Sequence, residues 1–288
     1  MPTTSVRELE RELNELRVAS AEPGAAPRMR ASVMTHIAWV PEPWVEAATD
    51  TLAGLAERHP SRTILLFPAP EDRRDVLEGE VDYRCFVRGG EQREVCSEVI
   101  TVRLCGKRAA APASVVMPLL VSDLPVFLRW RGPLPFDAPE LEQLVGVADR
   151  LVLDSREWPD AERDFGLLPG LFDRIAVSDI AWARTERWRA AVADLWPRVA
   201  EASVLRVAGP KTEAELLRAW LASRLRRKIE LRLEPAGEVE LVEVNGLDCH
   251  PLSADVGTSS DLLSDQLEVF GRDRIYEEAV RSFSSPPT

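Results

Sequence analysis

The chain has 288 residues, 45% of them apolar, and a net charge of −12 from 36 basic and 48 acidic side chains. This composition supports one or two domains with real cores, excludes disorder along the whole chain, and weighs against binding nucleic acid or an anionic membrane surface, which needs clustered cations in excess. No signal peptide is read in the charged residues 1–17, and the longest apolar run is about seven residues, against the roughly 20 of a membrane-spanning helix. Four cysteines (Cys85, Cys96, Cys105, Cys249) are too few for a disulfide framework, and the expected compartment is the cytoplasm.

Ser5-x-x-Glu8 is a capping box, and Val6, Leu9, Leu13 and Leu16 follow it at helical spacing. Residues 18–30 are small and Pro- and Gly-bearing, the composition of a linker, so this helix is expected to be tethered rather than built into the core. Two roles stand open for it, a packed accessory helix or a partner-docking arm. Val33 to Val40 is an apolar run of strand length, Pro43 opens a helix with Val45, Ala48, Leu52, Leu55 and Ala56 on one face, Pro60 stops it, and Thr63 to Phe67 is a second buried run. Together they predict a strand, helix, strand unit with parallel strands. An acidic, Pro-rich loop is expected over 68–80.

Val81 to Arg88 and Gln92 to Leu104 flank Gly89-Gly90, which predicts an antiparallel hairpin inserted in the parallel pattern. A helix around Ser114 to Leu120 precedes strands at Val126–Trp130, Leu151–Leu153 and Ile175–Val177. Ser178 to Trp196 is helical, with Trp188, Ala191, Val192 and Leu195 sharing a face. The alternation predicts an α/β fold, a mostly parallel sheet flanked by helices. Near Pro197 the pattern resets. Thr212-x-x-Glu215 reads as a second capping box, Ile229, Leu231 and Leu233 as a strand, Val239 to Val244 as its antiparallel partner, and 260–270 and 273–283 as closing helices. The predicted organisation is an N-terminal helix and linker over 1–30, an α/β domain over 31–198, and a smaller α+β domain over 199–288.

The chain lacks Gly-x-Gly-x-x-Gly, the phosphate loop Gly-x-x-x-x-Gly-Lys-Ser/Thr and Gly-x-Ser-x-Gly, so neither a nucleotide cofactor nor a nucleophile elbow is expected. His36 reads as a core imidazole, and Cys249-His250 lacks the spaced thiols of a zinc site, so no metal is predicted. The polar groups with more to offer lie at the ends of the strands. Arg129, Trp130 and Arg131, then Asp154, then Ser178 and Asp179, belong at carboxyl ends, where ligands of parallel sheets sit. Ser178, Asp179 and Asp154 also suit caps and turns, while alternation would place Arg129 and Arg131 on one face, fit for a carboxylate or phosphate. His59, Ser61 and Arg62 belong at the opposite, amino-terminal edge. Two separated polar faces suit a protein that contacts other proteins better than one that encloses a small substrate.

The stretches RASVMTHIAWV (30–40), HPSRTILL (59–66), VCSEVITV (95–102), MPLLVSDLPVFLRWRG (117–132), DRLVLDS (149–155), SDIAWARTERWR (178–189) and AELLRAWLASRL (214–225) resemble the OpcA family of glucose-6-phosphate dehydrogenase assembly proteins over residues 30–234. The resemblance implies a non-catalytic effector, not an enzyme, that binds glucose-6-phosphate dehydrogenase, promotes its active oligomer and modulates NADPH production in the oxidative pentose phosphate pathway. Within those stretches the partner-binding candidates are His59, Ser61, Arg62, Asp123, Arg129, Trp130, Arg131, Asp154, Ser178, Asp179, Trp182 and Arg184. The alternative is an α/β enzyme or sensor that takes a sugar phosphate at the carboxyl ends of the strands.

Overall fold

The computed structural model describes residues 1–19, 33–58, 61–87, 94–251 and 258–284. The chain is an α/β protein with a mostly parallel eight-stranded sheet and a smaller four-stranded one. Its residues gather into two compact units, 1–152 with 259–269, and 153–258 with 270–288. The division expected near residue 198 falls inside the second unit.

The first unit opens with strand β1 (Thr3–Thr4) and helix α1 (Val6–Ala19). The capping box forms: Glu8 N donates to Ser5 Oγ at 3.3 Å, and that hydroxyl donates to the Glu8 carboxylate at 2.8 Å. Leu9 and Leu13 are buried, so α1 is packed, which corrects the tethered reading. The linker composition of 20–32, which lie outside the described residues, says nothing about the apolar stripe of the helix before it. Strand β2 (Thr35–Trp39), helix α2 (Val45–Arg58) and strand β3 (Arg62–Ala69) follow, with β2 and β3 parallel. Ala48 of α2 is buried with Ala38 and Val40; the side chains of Leu52, Leu55 and Ala56 lie outside the described residues.

Strands β4 (Leu77–Val87) and β5 (Glu94–Cys105) pair antiparallel, as the hairpin pattern predicts, while the glycine turn at 88–93 lies outside the described residues. β4 begins at Leu77, because Leu77, Gly79 and Val81 alternate with Glu78 and Glu80, so the expected loop to residue 80 shortens. Helix α3 (Ala113–Leu119), strand β6 (Val126–Trp130), helix α4 (Pro139–Val145) and strand β7 (Arg150–Leu153) complete this stretch. β2 and β6, β3 and β5, and β6 and β7 all pair parallel. The inner strands β2 and β6 are buried at every position, as expected of parallel strands covered on both faces.

In the second unit, helices α5 (Ala161–Leu167) and α6 (Pro169–Phe172) lead to strand β8 (Ala176–Asp179) and helices α7 (Ile180–Arg184) and α8 (Glu186–Asp194). Trp188, Ala191 and Val192 are buried as their spacing predicts. Strand β9 (Val204–Gly209), helix α9 (Lys211–Leu225) and strand β10 (Glu230–Pro235) form a second parallel unit, followed by β11 (Leu241–Val244) and β12 (Leu247–Asp248). The order is β10-β9-β11-β12. The hairpin expected between β10 and β11 is therefore absent. β9 lies between them, parallel to β10 and antiparallel to β11, because the α9 crossover returns the chain in the same direction. Nor does Thr212 cap α9, which starts one residue earlier, after Pro210.

Helix α10 (Ser259–Leu267) belongs to the first unit, where Ser260 Oγ donates to Thr51 O at 2.8 Å and Arg58 pairs with Asp261 at 2.6 Å. Helix α11 (Arg274–Ser284) belongs to the second. Asp273 caps it, its carboxylate accepting from Tyr276 N at 2.9 Å, and it packs on α9 and α5 through buried Tyr276, Ala279 and Val280.

Candidate functional site

At the amino-terminal edge of the larger sheet, the parallel register sets Arg62 at the start of β3 beside Glu98 of β5. Arg62 Nε donates to the Glu98 carboxylate at 2.8 Å, and Arg17 at the end of α1 donates to its other oxygen at 2.5 Å. Arg62 Nη1 also donates to Leu119 O at 2.7 Å. This one carboxylate thus ties α1, β3 and β5, and Arg62 extends the tie to the end of α3. Burial alone pushes the Glu98 pKa up, and the two guanidiniums more than reverse it, holding it below the ordinary value. Ser61 is buried, its Oγ 3.3 Å from Thr63 Oγ1. His59 lies outside the described residues.

Asp123 is exposed at this edge, with a φ of 64°, in the loop that feeds β6. A short carboxylate side chain is among the few that tolerate that left-handed backbone. Three exposed apolar side chains come from the segments joined here: Val18 next to Arg17, Val33 just before β2, and Met117 on α3.

The carboxyl-terminal edge is closed. Trp39 and Trp130 are register partners whose rings stack with centroids 5.0 Å apart. Trp130 Nε1 donates to Pro133 O at 3.2 Å. Arg131 is buried and donates to Ala47 O at 3.1 Å and Thr51 Oγ1 at 2.8 Å, both on α2. Arg129 is 2% exposed and donates to Trp130 O. The two arginines do not form an open anion-binding face, because helices cover both sides of a parallel sheet and each guanidinium meets an acceptor within the chain. At Gly132, φ is 81° and a Cβ would sit 2.8 Å from Trp44 Nε1, so this turn is built around glycine.

In the second unit Asp154 accepts from both Nη atoms of Arg184 at 2.9 Å and from Arg156 N at 3.2 Å. Asp179 is 1% exposed, caps α7 through Ala181 N at 2.9 Å, and accepts from Ser155 N at 3.0 Å, Ser155 Oγ at 2.7 Å and Tyr276 OH at 3.2 Å. Burial pushes its pKa up to about 6, and the neighbouring Asp154 charge adds to that. Ser178 is buried beside it. Trp182 is buried, donates to Asp273 at 2.7 Å and carries the Arg189 guanidinium 3.5 Å from its ring centroid.

Sequence reasoning did not find the neighbouring group, in which Arg156 pairs with Glu213 and, at 2.8 Å through both Nη atoms, with Glu238. Glu213 is fully buried, and desolvation raises its pKa to about 7 despite Arg156. These three residues are far apart in sequence, so no local spacing signals their contact. Among the described residues no cluster of three or more His, Cys, Asp or Glu could hold a metal ion, and no helix is long and apolar enough to cross a membrane.

Residues 53–168 match a family described as the glucose-6-phosphate dehydrogenase subunit N-terminal domain, OpcA type. Two curated proteins named OxPP cycle protein OpcA are similar. That of Synechocystis sp. is 25% identical over 111 residues, 38% of this chain and 23% of that protein. That of Synechococcus elongatus is 26% identical over 112 residues, 38% of this chain and 25% of that protein. The alignments therefore span about a quarter of the relatives' own length.

Proposed function

Because residues 53–168 match the OpcA-type domain and the chain is similar to two OpcA proteins, we propose that it is a non-catalytic partner of glucose-6-phosphate dehydrogenase. It binds the enzyme in the cytoplasm, promotes its active oligomer and modulates its activity in the oxidative pentose phosphate pathway. The match to a domain described as a subunit of that enzyme is the observation that carries this reading.

The amino-terminal edge of the larger sheet is the contact surface that best suits such a role. Arg62, Asp123 and Met117 lie within the matched residues, and Asp123 and Met117 are exposed. Arg62, Glu98 and Arg17 hold the backbone of that edge in place. A sugar-phosphate site at the carboxyl ends has less support, since Arg129, Arg131 and Arg184 already donate to acceptors within the chain. Asp154, Ser178, Asp179 and Trp182 then act as positioning groups.

The test is the velocity of the dehydrogenase against glucose 6-phosphate with and without this protein. A changed affinity or turnover is expected, and unchanged kinetics at saturating protein would refute modulation. Calorimetry of the protein alone with glucose 6-phosphate is expected to show no tight binding. Tight binding would favour the sugar-phosphate reading.

A further inference from the structure

We infer that β10 is a homophilic edge, where two copies of this chain pair antiparallel about a two-fold axis through Leu231. The four-stranded sheet ends on β10, and no described strand pairs with its outer side. The other terminal strands of the two sheets have two to four residues (β1, β8, β12), while β10 has six and is exposed or half-buried throughout. An open edge of that length is a template for another strand.

The ladder fixes which backbone groups are available. Glu230 N donates to Ser203 O at 2.8 Å and Ala236 N to Gly209 O at 3.2 Å. In a parallel pair alternate residues carry both bonds to the neighbour, so the even-numbered residues face β9. The N–H and C=O of Leu231 and Leu233 therefore point outward. Pairing outward residues with outward residues leaves a few two-fold registers, and the side chains discriminate among them.

Centred on Arg232, the pairing would set Arg232 opposite its own copy and Glu230 opposite Glu234, like charge against like. Centred on Leu231, it sets Arg232 opposite Glu230 twice, Lys228 opposite Glu234 twice, Leu231 opposite itself and Ile229 opposite Leu233. Directly opposed side chains have Cβ atoms about 5 Å apart, where opposite charges attract and like charges repel. Arg232 and Glu230 already pair at 2.9 Å within one strand and remain about three-fifths exposed, so both can reach a facing copy. The charges on this edge thus guard it against the Arg232-centred register, and a pairing centred on Leu233, which would also oppose Arg232 to Glu234, sets Leu231 against Pro235, which has no N–H to donate, so the Leu231-centred register is favoured. A single strand pair buries little area, so the dimer is a weak one that forms with rising concentration.

Sedimentation velocity of the full chain over a micromolar to millimolar series tests this. Wild type is expected to shift toward the dimer. R232E and E230R each place like charges opposite one another and are expected to raise the dissociation constant about tenfold or more. The double variant E230R/R232E restores opposite charges and is expected to recover the dimer, and an equimolar mixture of the two single variants is expected to associate while each alone does not. Circular dichroism checks that every variant keeps its fold. A wild type that stays monomeric over the series, or a dimer that wild type and all three variants form equally, would overturn the inference.

Discussion

Replacing Glu98 by Gln probes the ion cluster that braces the amino-terminal edge. Glu98 is 6% exposed and is bonded by Arg17 and Arg62, whose side chains are 21% and 11% exposed. Gln keeps the shape but accepts from one arginine and turns its amide N–H toward the other, leaving a largely buried guanidinium without its partner. Removing one member of a fully buried pair costs about 3–5 kcal/mol, and losing a hydrogen bond to a charged group about 1.5–3. With Arg17 open to water on one side, a loss of about 2–3 kcal/mol is expected for E98Q. Arg17→Ala should cost about 1 kcal/mol, since Arg62 still holds the carboxylate. At about 2–4 °C per kcal/mol for a unit of this size, E98Q should lower Tm by roughly 5–10 °C. Urea unfolding of wild type, E98Q, R17A and the double variant gives the coupling directly. Because the folded pKa is lowered, the stability Glu98 contributes is present above pH 4.5 and is lost as pH falls through the folded value, so E98Q should flatten that acid limb. A loss below about 0.5 kcal/mol for E98Q, with an unchanged acid limb, would refute the bracing role.

Asp179→Asn should change the pH profile with the opposite sign. A carboxyl whose pKa rises from 3.8 to about 6 on folding holds its proton more tightly in the folded state, so its stabilisation is complete below pH 3.8 and lost as pH rises through 6. That fall is about 3 kcal/mol in wild type and should be largely absent in D179N; an equal slope in both would contradict the burial argument. Gly132→Ala should cost about 2 kcal/mol or more, from a φ of 81° and a Cβ against Trp44, measured as a lower urea midpoint. Leu9→Ala should cost about 2–4 kcal/mol and speed proteolysis within residues 1–19, whereas an unchanged cleavage rate would mean that α1 is not held by its apolar stripe.

Much of the first unit is legible in the sequence because its signals are local. Ser5 and Glu8 announce a cap that forms, and the apolar runs at 33–40, 63–67 and 126–130 read as buried strands, which β2 and β6 are at every position and β3 in part. The second unit is read less well. β9 carries Arg206 among its alternating apolar residues and follows the Pro197 break, so its period is weak, and without it β10 and β11 look like a hairpin. The site divides along the same line. Asp179 announces itself as a cap, because capping is a matter of neighbours in sequence. The burial of Arg129 and Arg131 depends on how α2 covers the sheet, and the grouping of Arg156 with Glu213 and Glu238 on how distant segments meet, neither of which any spacing encodes.

The most direct test of the proposed role is physical association with the enzyme. Purified protein and glucose-6-phosphate dehydrogenase, alone and mixed, are run on size exclusion with light scattering, and the activity of each fraction is measured. The predicted result is a species heavier than either component that contains both chains and shows altered activity. Two components eluting at their own masses at every ratio, with activity unchanged, would contradict it.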